Sequence, residues 1–140
     1  DYAARVYLAL RLPPERMGFA ARARLRLARA LYGEEVPDGA INFVWDNRHP
    51  VGTRRPNAYT ALTKMVVQQS GAEKAGKWVS ERVNVKDEIR QAFDTEEASL
   101  ASVALASDTD NTGETARAGF ADLHFVGAGA TCDFPNMPRP

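Results

Sequence analysis

The chain has 140 residues, a length that fits one domain with a sizeable core. Eighteen basic residues balance eighteen acidic ones, so bulk charge points to no nucleic-acid partner. No apolar run reaches the ~18 residues of a membrane span, and the one cysteine, Cys132, has no internal disulfide partner.

In chain order, Tyr2 to Leu10 is rich in aromatic and β-branched residues and predicts a strand, ended by Pro13-Pro14. A chain that opens directly on a strand is expected to be mature or cleaved, compatible with a removed export signal. Glu15 to Tyr32 is dominated by Ala, Leu and Arg. Met17, Ala21, Leu25, Ala28 and Tyr32 recur at helical steps, and Gly33 follows as a stop signal. Ala40 to Asn47 alternates Ile41, Phe43 and Trp45 with Asn42, Val44 and Asp46, as a half-buried strand does.

Arg48 to Tyr59 reads as a long decorated loop. Thr63 to Gln69 and Lys77 to Val85 predict the two strands of a hairpin turned at residues 71–76. Val85 to Phe93 predicts a short helix capped by Asn84, since Val85, Ile89 and Phe93 are spaced by four. Leu100 to Ala106 and Ala116 to Phe125 predict two further strands. Residues 127–140 form a Gly/Pro-rich tail without periodicity.

These elements predict a mainly β fold: an antiparallel, jelly-roll-like β-sandwich spanning residues 1–126. One Arg-rich helix is inserted at about 14–33, one short helix follows later, and 127–140 is an extended tail. These strands are few for a closed sandwich, so one sheet is expected to be incomplete.

Chemistry-bearing residues fall into several groups. Asp108, Asp110, Thr112 and Gly113 follow D-x-D-x-T-G, the first half of a calcium loop, but the twelfth position is Gly119 and the closing Glu is missing. The stretch is either a simple calcium turn held by Asp108, Asp110 and Thr112, or a polar turn in which Asp108, Asp110 and Asn111 bond the backbone. Arg5, on a strand among apolar neighbours, calls for a carboxylate, with Asp108 and Asp122 as the candidates. Trp45, Trp78 and Tyr59 are either core aromatics or stacking platforms for sugar rings, with Asn47 and the acids binding hydroxyl groups.

His49 and His124 show no metal spacing with each other or with Cys132. No nucleophile elbow, phosphate loop or dinucleotide fingerprint occurs, so an enzyme is not the favoured reading. Arg22, Arg24, Arg26 and Arg29 form either a solvated face or a docking face for an acidic protein surface or anionic headgroups.

Three stretches carry a family resemblance: Asp1-Tyr-Ala-Ala-Arg-Val-Tyr, then Ala40-Ile-Asn-Phe-Val-Trp-Asp-Asn-Arg-His-Pro-Val-Gly-Thr, then Ser107-Asp-Thr-Asp-Asn-Thr-Gly. Met65 to Gly71 and Lys77 to Arg82 also fit. Together they resemble a family of exported bacterial proteins known as a domain of unknown function, number thirty forty-seven. The resemblance implies a jelly roll similar to carbohydrate-binding modules, an export signal, a periplasmic or otherwise exported location, and no established activity or cofactor.

Two functions are therefore expected. One is a non-enzymatic module binding a carbohydrate or similar polar ligand through Arg5, Trp45, Asn47, Tyr59, Asp108, Asp110, Asn111 and Asp122. The other is an accessory subunit of a larger assembly, docked through the Arg-rich helix and the tail.

Overall fold

The computed structural model describes residues 2–57 and 60–132. Among them the strands form one open, five-stranded mixed sheet in the order β3-β4-β2-β1-β5. Strand β1 spans Tyr2–Arg11, β2 Gly39–Asp46, β3 Arg54–Pro56, β4 Thr63–Ser70 and β5 Ser99–Asp108. Helix α1 spans Phe19–Tyr32 and α2 Val85–Phe93. The mainly β reading therefore holds in its coarse form, and no second sheet is present among the described residues.

Strand β2 sits at the centre and explains much of the burial. It pairs antiparallel with β1, through Val6↔Phe43 and Leu8↔Ile41, and parallel with β4, through Asn42↔Met65 and Val44↔Val67. Both of its faces are covered, so the expected half-buried alternation becomes near-complete burial, with Ile41 and Asn42 both fully buried. One face packs Leu8, Leu10, Ile41, Phe43 and Val66 against Ile89 of α2. The other packs Val44, Met65 and Val67, with Tyr2 laid against them.

The parallel β2–β4 pair corrects the all-antiparallel expectation, and it removes the expected hairpin. Strand β4 has β2 on one edge and the short β3 on the other. With both edges filled, residues 77–84 find no ladder on β4 and run without strand structure. The expected last strand over Ala116 to Phe125 is also irregular. Asp122 adopts a left-handed φ of 52°, which interrupts extended backbone. The edge strand β5 leaves Leu100 41% and Leu105 47% exposed.

The helices keep to sequence logic. The Asn84 side chain accepts a hydrogen bond from the Asp87 N–H at 3.4 Å and caps α2. The Arg-rich helix starts later than expected. A single 3-10 turn spans Pro14–Arg16, Met17 is extended and buried, and Gly18 caps α1. Its end is as expected: Gly33, at φ 95°, donates to the Arg29 carbonyl at 2.8 Å.

Two ion pairs tie helices to the sheet. Arg29 reaches Asp38 at 2.8 Å, and buried Asp38 also accepts from the Leu12 N–H at 2.9 Å. Arg54 of β3 grips Glu88 of α2 with two bonds, at 2.6 and 3.2 Å.

The start of β2 has no spare volume. A Cβ on Gly39 would lie 3.0 Å from the Leu62 carbonyl oxygen and 3.1 Å from the Phe93 ring. Gly39→Val is therefore expected to lower stability by about 1–3 kcal/mol. Urea unfolding checks it, through a lower midpoint at unchanged slope.

Candidate functional site

At the C-terminal end of β2 the chain turns through Asp46-Asn-Arg-His-Pro, and the turn organises a cleft. Asp46 is 4% exposed and ends a strand, so its carboxylate must gather donors locally. Oδ1 accepts the Arg48 N–H at 2.7 Å and the His49 N–H at 3.4 Å. Oδ2 lies 2.8 Å from His49 Nδ1. This is an Asx-type turn in which one acid satisfies two backbone groups and one ring.

His49 is held at both nitrogens. Its Nε2 lies 2.7 Å from Nη1 of Arg55 on β3. A guanidinium only donates, so Nε2 accepts. In this geometry Nδ1 is the ring nitrogen that donates, and Asp46 accepts. The Asp46–His49–Arg55 chain lines a cleft of about 380 Å³ together with Tyr2, Asn47, Arg48 and Thr112. Asn47, Arg48 and Arg55 are exposed. Among the described residues neither Arg48 nor Arg55 forms an ion pair with a carboxylate.

The electrostatics follow from these contacts. Burial pushes the Asp46 carboxyl upward, but the bonds from the Arg48 N–H, the His49 ring and the His49 N–H together hold it below the usual carboxylate range. Burial, and then the nearby Asp46 charge, push the Tyr2 phenol up, so it stays protonated. The Arg5 guanidinium stands 5.1 Å from the centre of the Tyr2 ring, backing the wall of the cleft.

Sequence reasoning placed some of these residues and missed others. Arg5 does take a carboxylate: its guanidinium pairs with Asp108 and also donates to the Tyr7 hydroxyl at 2.9 Å. Asp122, the other candidate, instead offers its carbonyl to His124 at 2.6 Å. Asn47 and Thr112 line the cleft. Trp45 does not line it; its Nε1 donates to the Gly71 carbonyl at 2.8 Å. Tyr59 lies outside the described residues.

Asp108 also accepts from the Asp110 N–H at 3.3 Å, and the Asn111 amide bonds Asp110 at 2.9 Å. The Asp110 side chain, its N–H and then the Arg5 charge hold the Asp108 carboxyl below the usual range. Asp108 thus bonds the backbone of its own turn, while Asp110 and Asn111 bond each other through their side chains. Among the described residues no three His, Cys, Asp or Glu side chains are grouped to hold a metal ion.

The missed residues are Tyr2, Asp46, Arg48, His49 and Arg55. A signal for His49 was present: a strand-ending acid three residues before a His-Pro pair. Spacing also gave no reason to pair His124 with Cys132, yet Cys132 Sγ lies 3.3 Å from His124 Nε2, in an exposed segment.

Residues 1–124 match the family described as Protein of unknown function (DUF3047), and the chain belongs to that family. No curated protein and no solved structure matches the chain.

Asp46→Ala removes the acceptor of three donors and is expected to lower stability by about 2–3 kcal/mol. A depressed carboxyl stabilises the fold above the unfolded value near pH 3.9 and loses that contribution as pH falls through the folded value. Melting temperature is therefore expected to fall more steeply below about pH 4 in the parent than in Asp46→Asn. Calorimetric scans of both proteins against pH check this.

Proposed function

We propose that this family member is a non-enzymatic binding module whose cleft takes an acidic sugar. The contact between Arg55 and His49 Nε2 at the cleft carries the reading. It presents a guanidinium unpaired with any carboxylate among the described residues, beside a ring nitrogen fixed as an acceptor. Arg48 adds a second such charge. A ligand carboxylate accepts bidentate bonds from Arg, while sugar hydroxyl groups find donors and acceptors in Asn47, Thr112 and the Tyr2 phenol. The cleft volume is within the range of about 300–1,000 Å³ for small-molecule sites.

Position supports the same reading. The cleft adjoins the C-terminal end of β2, which runs parallel to β4, and ligands of sheets with parallel strands gather at such ends. Binding is favoured over catalysis because the nitrogen a general base would need is already occupied by Arg55. The open sheet is read as one layer of a jelly-roll-like sandwich in an exported protein. The exposed Leu100 and Leu105 of the edge strand support a further layer or strand beside it.

A glycan array followed by calorimetry tests the reading. Oligogalacturonate is expected to bind and neutral maltooligosaccharide to bind far more weakly. Loss of a charged hydrogen bond in Arg55→Ala is expected to weaken binding roughly 10- to 100-fold. No binding of any acidic glycan, or binding unchanged in both Arg48→Ala and Arg55→Ala, would overturn it.

A further inference from the structure

Helix α1 carries an apolar stripe that the fold leaves uncovered, and the arginines are arranged around it. At about 3.6 residues per turn, Ala21, Leu25, Ala28 and Arg29 share one side. These are the helix positions with reduced exposure; Leu25 is buried, and Arg29 pairs with Asp38. The opposite side holds Phe19, Ala23, Leu27 and Leu31, all exposed, with Phe19 at 81%, Leu27 at 62% and Leu31 at 67%. Ala20 and Ala30 fill the same outward face and are exposed as well.

Charge borders this stripe on both sides. Arg22 and Arg26, one turn apart, stand along one rim, and Arg24 stands along the other. All three are exposed, and their side chains form no hydrogen bond or ion pair among the described residues. The helix contains no acidic residue, although the chain as a whole is neutral.

We propose that α1 lies on an anionic lipid surface, with Phe19, Leu27 and Leu31 entering the headgroup–acyl boundary and Arg22, Arg24 and Arg26 binding lipid phosphates. Of the two docking partners open to an Arg-rich helix, an acidic protein or anionic headgroups, the rim geometry favours the second. A lipid phosphate layer is continuous and meets cations on both rims at once, while the apolar strip between them enters the acyl boundary. Arginine side chains reach up to phosphates while their stems stay apolar. The helix is about 21 Å long and lies along the surface. No helix among the described residues is long and apolar enough to cross a membrane. The Arg29–Asp38 pair joins the less exposed side of α1 to the residue that precedes β2, so the stripe lies on the side of the helix away from that contact. This surface is separate from the cleft, and its role does not depend on the sugar reading.

Co-sedimentation of the whole chain with vesicles tests the proposal. Vesicles of phosphatidylcholine alone are compared with equimolar phosphatidylcholine and phosphatidylglycerol. The three unpaired arginines are expected to make binding to the anionic vesicles roughly 100-fold tighter. Replacing Arg22, Arg24 and Arg26 by Glu is expected to abolish it. Leu27→Gln with Leu31→Gln is expected to weaken it about tenfold at unchanged melting temperature, because both side chains already face solvent. Equal binding to both vesicles, no binding to either, or binding that survives the Arg→Glu changes would overturn it. Capture by immobilised polyglutamate without vesicle binding would also overturn it, and would assign the face to an acidic protein.

Discussion

A carboxylate taken out of water at the end of a central strand must find donors within reach, and Asp46 meets that demand with its own next residues. The Arg48 and His49 N–H groups and the His49 ring converge on it. This turns the chain as it leaves β2 and holds the imidazole at the cleft beside the exposed Arg48. The Asp46 carbonyl meanwhile accepts the Gly71 N–H at 2.8 Å, joining the ends of β2 and β4. A register shift between Val44 and Trp45 precedes this point, so Asp46 falls opposite Ser70. The end of the sheet and the cleft are therefore one construction: moving the acid would loosen both.

The sheet supplies the other half of the site. Arg55 comes from β3, a strand of three residues with only β4 as its neighbour. Its position depends on the grip of Arg54 on Glu88, which connects this edge to α2. Tyr2 comes from β1, where the Arg5–Asp108 pair stands behind it. Three strands thus deliver side chains to one end of the sheet, and α2 steadies them from the far face. A neutral total charge conceals this division of labour. Arg5, Arg29 and Arg54 are consumed by the fold, Arg48 and Arg55 line the cleft, and Arg22, Arg24 and Arg26 are exposed on α1.

Local structure was readable where local physics decides it. The extents of β1, β2, β4 and α2, the Asn84 cap and the Gly33 stop are each set by side chains within a few residues, and the observed elements follow them closely. Pairing was not readable. Nothing in Thr63 to Gln69 says that β2 will lie parallel beside it, and nothing in Lys77 to Val85 says that both β4 edges will be full. The expected carboxylate for Arg5 could be narrowed to two acids, because a buried guanidinium limits its partners, but choosing Asp108 required the β1–β5 register.

The cleft was half legible. Asn47 stood out as a polar group at a strand end and Thr112 as part of the polar turn, whereas His49 was passed over because metal spacing was the test applied to it. Its partners are an acid three residues back and an arginine six residues ahead, brought together by a turn and a strand pair that no spacing rule encodes. The most direct test of the arrangement is a long-range proton–nitrogen NMR spectrum of the His49 ring. The expected result is a neutral ring protonated at Nδ1, with that tautomer lost in Asp46→Ala. A ring protonated at Nε2 in the parent protein would contradict it.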